Sequence, residues 1–250
     1  MSGIGGLVAQ FGNLAQRAER RARGGAMLEN KVWYLKQNRL FADASDSGIE
    51  NCAHLFTMRV VPKKTMIFDL GDSSRAVYLV KTGTVKIARL TPEGREVTVA
   101  ILGAGDIFGE ETLFDGAART TVAVTMEDAL VCTARADDLF GLLSRSPQLA
   151  LNVAKILSTR LGDASATMED LAYAKIPDRL MHLFRRLADE HGHADENGVT
   201  IDVRLTHADI ASLIGSTRET VSLELSHLVR AGRLRLDGKS FVLPREELTA

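Results

Sequence analysis

Apolar positions change their period along this chain, and each change predicts a different element. Between residues 57 and 133 they come in short β-rich runs, at 58–61, 66–68, 77–80, 85–88, 97–101 and 122–124. Gly71-Asp72, Thr82-Gly83, Pro92-Glu93-Gly94 and Gly103-Ala104-Gly105-Asp106 separate these runs as turn signals. Short strands at this spacing predict a sandwich, barrel or roll whose mouth can enclose a small ligand. From Pro147 to Tyr173 the period lengthens to that of a helix. Ala150, Ala154, Leu157, Leu161, Ala164, Met168 and Leu171 recur by fours and threes without a break, the stripe of a two-helix seam. The alternative for that stripe is burial against the roll of its own chain. Lys175-Ile176-Pro177-Asp178 predicts a hinge, because proline lacks an N–H and turns its predecessor away from helix. A helix over 178–190 would then bury Leu180, Leu183, Phe184 and Leu187. Ahead of the roll, residues 28–55 carry mixed helical signals, and Trp33 is expected to pack.

Residues 205–229 read as two short helices about a tight turn. Thr206 has the chemistry of an N-cap, with Asp209 three residues on, and Ile210, Leu213 and Ile214 form one apolar face. Gly215 supplies a left-handed turn residue, and Ser216-Thr217 open a second helix that buries Val221, Leu225 and Leu228. Arg218, Glu219, Ser222 and Leu223 stay off that face. This is a helix-turn-helix, whose second helix can enter a DNA major groove. Ser216-x-x-Glu219 also fits a capping box. Residues 234–243 form two strands about Asp237-Gly238, the wing of a winged helix.

The run Gly215-Ser216-Thr217-Arg218-Glu219-Thr220-Val221 closely resembles the recognition-helix start of the cyclic-AMP receptor protein family, which includes the fumarate–nitrate reductase regulators. The resemblance implies that Arg218 reads guanine and Glu219 reads cytosine. A guanidinium forks onto guanine O6 and N7, and a carboxylate accepts the cytosine N4 proton. Thr206, Ser216, Thr217, Ser222, Leu223 and Lys239 complete the implied DNA-facing set. The family commonly has a basic residue where this chain has Leu223, so the operator is expected to differ from the usual one. Leu223 can touch a thymine methyl or simply pack.

Gly105-Asp106-Ile107-Phe108-Gly109-Glu110-Glu111, followed by Ala118-Arg119-Thr120-Thr121, carries the other candidate chemistry. A carboxylate can accept from a ribose hydroxyl, while a guanidinium and hydroxyl donors hold a phosphate. Spacing alone leaves open a plain Glu110–Arg119 salt bridge. The stretch resembles the phosphate-binding cassette of cyclic-nucleotide-binding β-rolls. That resemblance implies ribose contacts at Gly109 and Glu110 and phosphate contacts at Arg119, Thr120 and Thr121. It also implies a base surrounded by Ile87, Val99, Leu102 and Arg160, with Ala164 and Ser165 on the long helix. The resemblance implies cyclic AMP; because Ala164 cannot hydrogen-bond a base and Ser165 can, cyclic GMP or another nucleotide is the alternative.

Composition narrows the classes. The net charge is −1, from 31 basic and 32 acidic residues, so nucleic-acid binding must come from a local patch. Arg204, Arg218, Arg230, Arg233, Arg235 and Lys239 supply one, and phosphate contact is the reading for the flanking members. The two cysteines, Cys52 and Cys132, cannot ligate an iron–sulfur cluster alone, since that needs about four thiolates; no metal or haem is expected either. His191-Gly192-His193 before Asp195-Glu196 reads as a solvated loop and not a metal site. No apolar run approaches membrane-span length, which places the chain in the cytoplasm by expectation. The six histidines lack any recognisable Ser, Cys or metal-ligand partner, so an enzyme is not expected.

The expected architecture is α+β. A basic N-terminal extension (1–27) precedes a cyclic-nucleotide-binding β-roll (28–145), a dimerisation helix and hinge (146–175), and a winged helix-turn-helix (176–250). The expected function is a homodimeric transcriptional regulator that reads a roughly palindromic duplex under nucleotide control. By resemblance its partners include RNA polymerase. The alternatives are a family regulator with a degenerate pocket, active without nucleotide or sensing another ligand, and a nucleotide-binding subunit acting on a protein partner.

Overall fold

A computed structural model describes residues 26–91, 96–113, 118–196, 198–238 and 240–248. Residues 1–25 of the expected basic extension and the Pro92-Glu93-Gly94 turn lie outside them, as does Lys239. Two four-stranded antiparallel sheets form the roll. One has the order β1-β8-β3-β6, from β1 (Thr57–Val61), β8 (Ala129–Arg135), β3 (Ala76–Thr82) and β6 (Ile107–Phe108). The other is β2-β7-β4-β5, from β2 (Met66–Phe68), β7 (Val122–Thr125), β4 (Val85–Leu90) and β5 (Glu96–Leu102).

β3 shows why a near-continuous apolar run belongs at the centre of this fold. Successive side chains point to opposite faces, and both faces are covered. Tyr78 and Val80 face the roll interior with Phe68, Val85, Ile87, Leu102 and Phe108. Val77 and Leu79 face a helical layer: α1 (Ala26–Lys36), α2 (Asp46–Cys52), α3 (Ala136–Arg145) and the first turns of α4 (Pro147–Tyr173). Both cysteines are free and buried in the core between that layer and the sheet, Cys52 from α2 and Cys132 from β8.

α4 starts with Pro147 in its first turn and is held to the roll by a buried amide. Asn152 donates Nδ2 to the carbonyls of Leu40 (3.0 Å) and Ala42 (2.8 Å), beside Leu149, Val153 and Ile156 of the shared core. The rest of α4 leaves the roll. Leu161, Met168 and Leu171 are 68%, 63% and 42% exposed, so the stripe predicted for a seam is not consumed by its own chain.

The chain breaks at Ala174 and resumes as α5 (Ile176–His191), with Pro177 in its first turn, as the hinge reading requires. α6 (His207–Ile214), Gly215 and α7 (Arg218–Arg230) follow. Gly215 adopts φ 63°, ψ 49°, and its N–H closes on Ala211. Ile210, Leu213 and Ile214 pack with Val221, Leu225 and Leu228 against Leu180, Leu183, Phe184 and Leu187. A third four-stranded sheet, β11-β12-β10-β9, backs this core. Its strands are β9 (Gly192–Asp195), β10 (Gly198–Ile201), β11 (Arg235–Asp237) and β12 (Ser240–Leu243). Among the described residues no helix is long and apolar enough to cross a membrane.

Three expectations are corrected. Residues 192–195 are a strand paired with β10, not a loop. His193 Nδ1 meets Asp202 (2.9 Å) while His191 Nε2 meets the Ile101 carbonyl (3.1 Å), so the two rings serve different partners. Trp33 is 54% exposed, because Leu35 takes the core side of α1 and Trp33 rests edge-on against Tyr34. The cap of α7 is Thr217, which accepts from the Thr220 N–H, and not the Ser216/Glu219 box. The box lies one helix earlier, where Thr206 and Asp209 satisfy each other's backbone N–H.

Candidate ligand site and nucleic-acid interface

β6 delivers the cassette. Gly109 turns the chain at φ 77°, and a Cβ there would lie 2.9 Å from both the Ala76 carbonyl and Arg119 Nη1. Only glycine permits that approach, which lets the Gly109 carbonyl accept from Arg119 Nη1 at 2.9 Å. The Arg119 side chain is fully buried. Nη1 also meets Glu111 at 3.0 Å, Nη2 donates to the Ala76 carbonyl at 2.5 Å, and the guanidinium lies 4.2 Å over the Phe68 ring. Among the described residues its Nε, though buried, has no hydrogen-bond acceptor. Thr120 and Thr121 follow on the rim, and Arg89 of β4 reaches Thr120 Oγ1 at 3.5 Å. Arg89 is a basic neighbour that the sequence motif does not point to.

Glu110 pairs across the elements with Arg160 of α4, Oε1 to Nη1 at 2.6 Å, while Arg160 Nη2 donates to the Ile107 carbonyl. The same arginine lines a cavity of about 600 Å³ between β5, α4, α5 and α6. Val99 and Leu102 share that wall, with Ala164 across from them. Ile87 lies behind, in the roll core, and Ser165 points off the cavity, donating to its own helix at the Leu161 carbonyl (2.9 Å). The sequence-derived set is therefore split between a cassette folded over Arg119 and a cavity walled by β5 and α4, joined by the Glu110–Arg160 pair.

The cavity is also where the two halves of the molecule meet. Ser212 of α6 accepts from Thr98 N–H (2.8 Å) and donates to the Glu96 carbonyl (3.1 Å), and Lys86 bridges Glu96 and Asp209. Despite burial, those two carboxylates hold the Lys86 ammonium above its ordinary range. Ile101 of the roll packs into the helix-turn-helix core. Across the cavity, burial and then the facing Asp163 raise Glu190 of α5 to about 7, with Asp106 adding to the effect.

On the opposite face, Thr217, Arg218, Glu219 and Leu223 of α7 are exposed; Leu223, at 55%, does not pack. Ser222 donates to the Arg218 carbonyl (2.8 Å) one turn back, and Thr206 caps α6. Ser216 is half-buried at the turn. Within the basic patch, Arg233 is bound to Glu247 at 2.7 and 3.0 Å, with Arg185 on the same carboxylate. It ties the chain's end to the domain instead of offering a free cation to phosphate.

Comparison with known proteins agrees with this two-part layout. Residues 58–146 match the cyclic nucleotide-binding domain family, and residues 178–250 match the Crp-like helix-turn-helix domain family. The chain is 30% identical to a CRP-like cAMP-activated global transcriptional regulator of Mycobacterium tuberculosis, over 76% of this chain and 84% of the relative. It is 31% identical to the cyclic AMP receptor protein of Thermus thermophilus, over 81% and 90% respectively. Among solved structures, the c-di-GMP-responsive global regulator CLP of Xanthomonas campestris superposes with a TM-score of 0.67 at 26% identity, covering 80% of this chain and 99% of that one.

Proposed function

Because the chain belongs to the cyclic-AMP receptor protein family of DNA-binding transcriptional regulators, we propose that it works as a homodimer whose two α7 helices read a palindromic operator under nucleotide control. The single observation that carries this is the position of α4. It holds Arg160 against the cassette at its middle, presents an uncovered apolar stripe, and runs directly into the reading domain. Two such helices side by side would set the separation of the reading helices, near the ~34 Å between successive major grooves.

The residues fit a cyclic nucleotide. Arg119 Nε is a buried donor without an acceptor among the described residues, Thr120 and Thr121 border it in sequence, and Glu110 offers its second oxygen to a ribose hydroxyl. Bound nucleotide would supply a compact anion and a planar base. This chain's part is to place Arg119 and the threonines at the anion and the wall of Val99, Leu102 and Arg160 at the base. The ligand acts only through its preference for one arrangement of the helix pair and of the β5–α6 clasp, a coupling of about 1–3 kcal/mol. Of the candidate ligands cyclic AMP comes first, as the effector in the names of both sequence relatives; cyclic GMP and cyclic dinucleotides are its rivals. Contact with RNA polymerase beside the operator completes the proposal.

A second reading has an observation in its favour. Three of Arg119's bonds are already made inside the protein, to Glu111, Gly109 and Ala76, which suits a cassette kept closed without nucleotide. Calorimetry with cyclic AMP, cyclic GMP and cyclic di-GMP, paired with operator selection from random duplexes, separates the two. Heat with one nucleotide and tighter operator binding support the first reading. No heat with any, and unchanged operator binding, support the second.

A further inference from the structure

The packing of α6 on α7 places a histidine beside the proposed DNA-facing side chains. His207 is the first residue of α6 and is exposed, and its Nδ1 sits 2.7 Å from Ser222 Oγ. Ser222 stands one helical turn beyond Arg218, so the two share a face of α7, and the His207 ring lies beside that face. The bond fixes the tautomer. A serine hydroxyl has one proton, and Ser222 spends it on the Arg218 carbonyl at 2.8 Å. Nδ1 must therefore be the donor to Ser222, which leaves Nε2 facing outward with a bare lone pair in the neutral ring. A bare lone pair repels phosphate oxygen, whereas an imidazolium Nε2–H donates to it.

We infer that His207 is a proton-dependent DNA contact: its imidazolium donates from Nε2 to a backbone phosphate, while Nδ1, held by Ser222, aims the ring. The first helix of a helix-turn-helix crosses the sugar–phosphate backbone, which puts phosphate within reach of its first turn. Imidazole is the side chain that changes charge between about pH 5 and 8, so operator affinity acquires a proton-linked part. The charged groups around this corner are few. Asp209 lies on the same turn and is committed to Thr206 and Lys86, and Glu96 of the roll shares that lysine. Arg218 and Glu219 come from α7, and α5 sends Arg179 to the far end of α6, at the Ile214 carbonyl. The inference rests on the helix-turn-helix reading of DNA and adds to it a residue that the sequence motif did not single out.

The test is operator affinity by fluorescence anisotropy from pH 6 to pH 8 at constant ionic strength, for the full chain, His207→Gln and His207→Arg. The wild type should bind about tenfold more tightly at pH 6 than at pH 8, since a hydrogen bond to an ionised partner is gained. The slope of log affinity against log salt should steepen by about one phosphate contact. His207→Gln should hold the weak limit and His207→Arg the tight limit at both pH values. A profile shared by the wild type and His207→Gln, with duplex binding intact, overturns the inference and leaves the DNA reading standing. No duplex binding at any pH overturns both.

Discussion

At the scale of single residues, two arginines carry opposite kinds of work. Arg218 is exposed at the first turn of α7, its guanidinium without a partner among the described residues, and in the proposed function its value is realised on DNA. Arg218→Ala should weaken operator binding by ~1–3 kcal/mol per site and relax discrimination at one base pair, read by competition between operator and single-base variants. Equal loss on random duplex would show a phosphate contact only. Arg119 is the reverse, fully buried and bound to two carbonyls and a carboxylate. Arg119→Met keeps the bulk and removes the donors, leaving the carbonyls of Gly109 and Ala76 short of a partner and Glu111 unpaired. Urea unfolding should lose about 2–4 kcal/mol. A midpoint equal to wild type would mean that the guanidinium does not stay inside. The motif around Arg119 was legible in the sequence, and the Glu111 partner was not. A carboxylate beside Glu110 carries no mark of which one turns inward; that is decided by the left-handed turn at Gly109 and the 3₁₀ turn after it.

Elements were legible in proportion to their length and periodicity. The strands at 58–61, 66–68 and 85–88 stand out because turn residues bracket them, and α4 because its stripe is unbroken over many turns. β6 is two residues long, too short to have a period. β9 escaped because Gly192, His193 and Asp195 have little strand propensity; pairing with β10 holds it in place. α3 carries Leu139 and Leu143 at helical spacing behind Asp137 and Asp138, a signal present but run together with the preceding strand. One element-scale contact yields a pH prediction. Glu190 of α5 faces Asp163 of α4 and Asp106 of the roll, and burial first and these charges second raise it to about 7. The folded state then keeps a proton that the unfolded chain releases. Stability is therefore fullest below about pH 4.5, falls as the pH rises through about 7, and is flat beyond. Glu190→Gln should remove that slope, matching wild type at low pH and exceeding it by about 1–3 kcal/mol at pH 8. Parallel profiles for the two proteins would sink the assignment.

For the whole molecule, the feature that matters is what α4 leaves uncovered. Leu161 is 68% exposed within one chain, so Leu161→Lys should cost the isolated fold under ~0.5 kcal/mol while placing a charge in the predicted seam. Sedimentation should then report a monomer with an unchanged thermal midpoint at high dilution, and operator binding should fall by at least about tenfold. A dimer that survives this change is built on another surface. The sequence indicated the order of cassette, long helix and reading domain, because each has a local signature. It could not indicate how α6 settles on β5, since Ser212, Thr98 and Lys86 are ordinary surface residues until the chain folds back and brings them together.

The amide of Asn152 gives α4 a fixed point close to its start, and Tyr173 at its other end is 88% exposed. Between them the rod is roughly 30 Å long. A tilt of about 5° about that pivot would carry the tip sideways by nearly 3 Å, about the length of a hydrogen bond. Sub-ångström adjustments beside Arg160, which sits less than halfway along the same lever, are thereby geared up before they reach the groove-reading end.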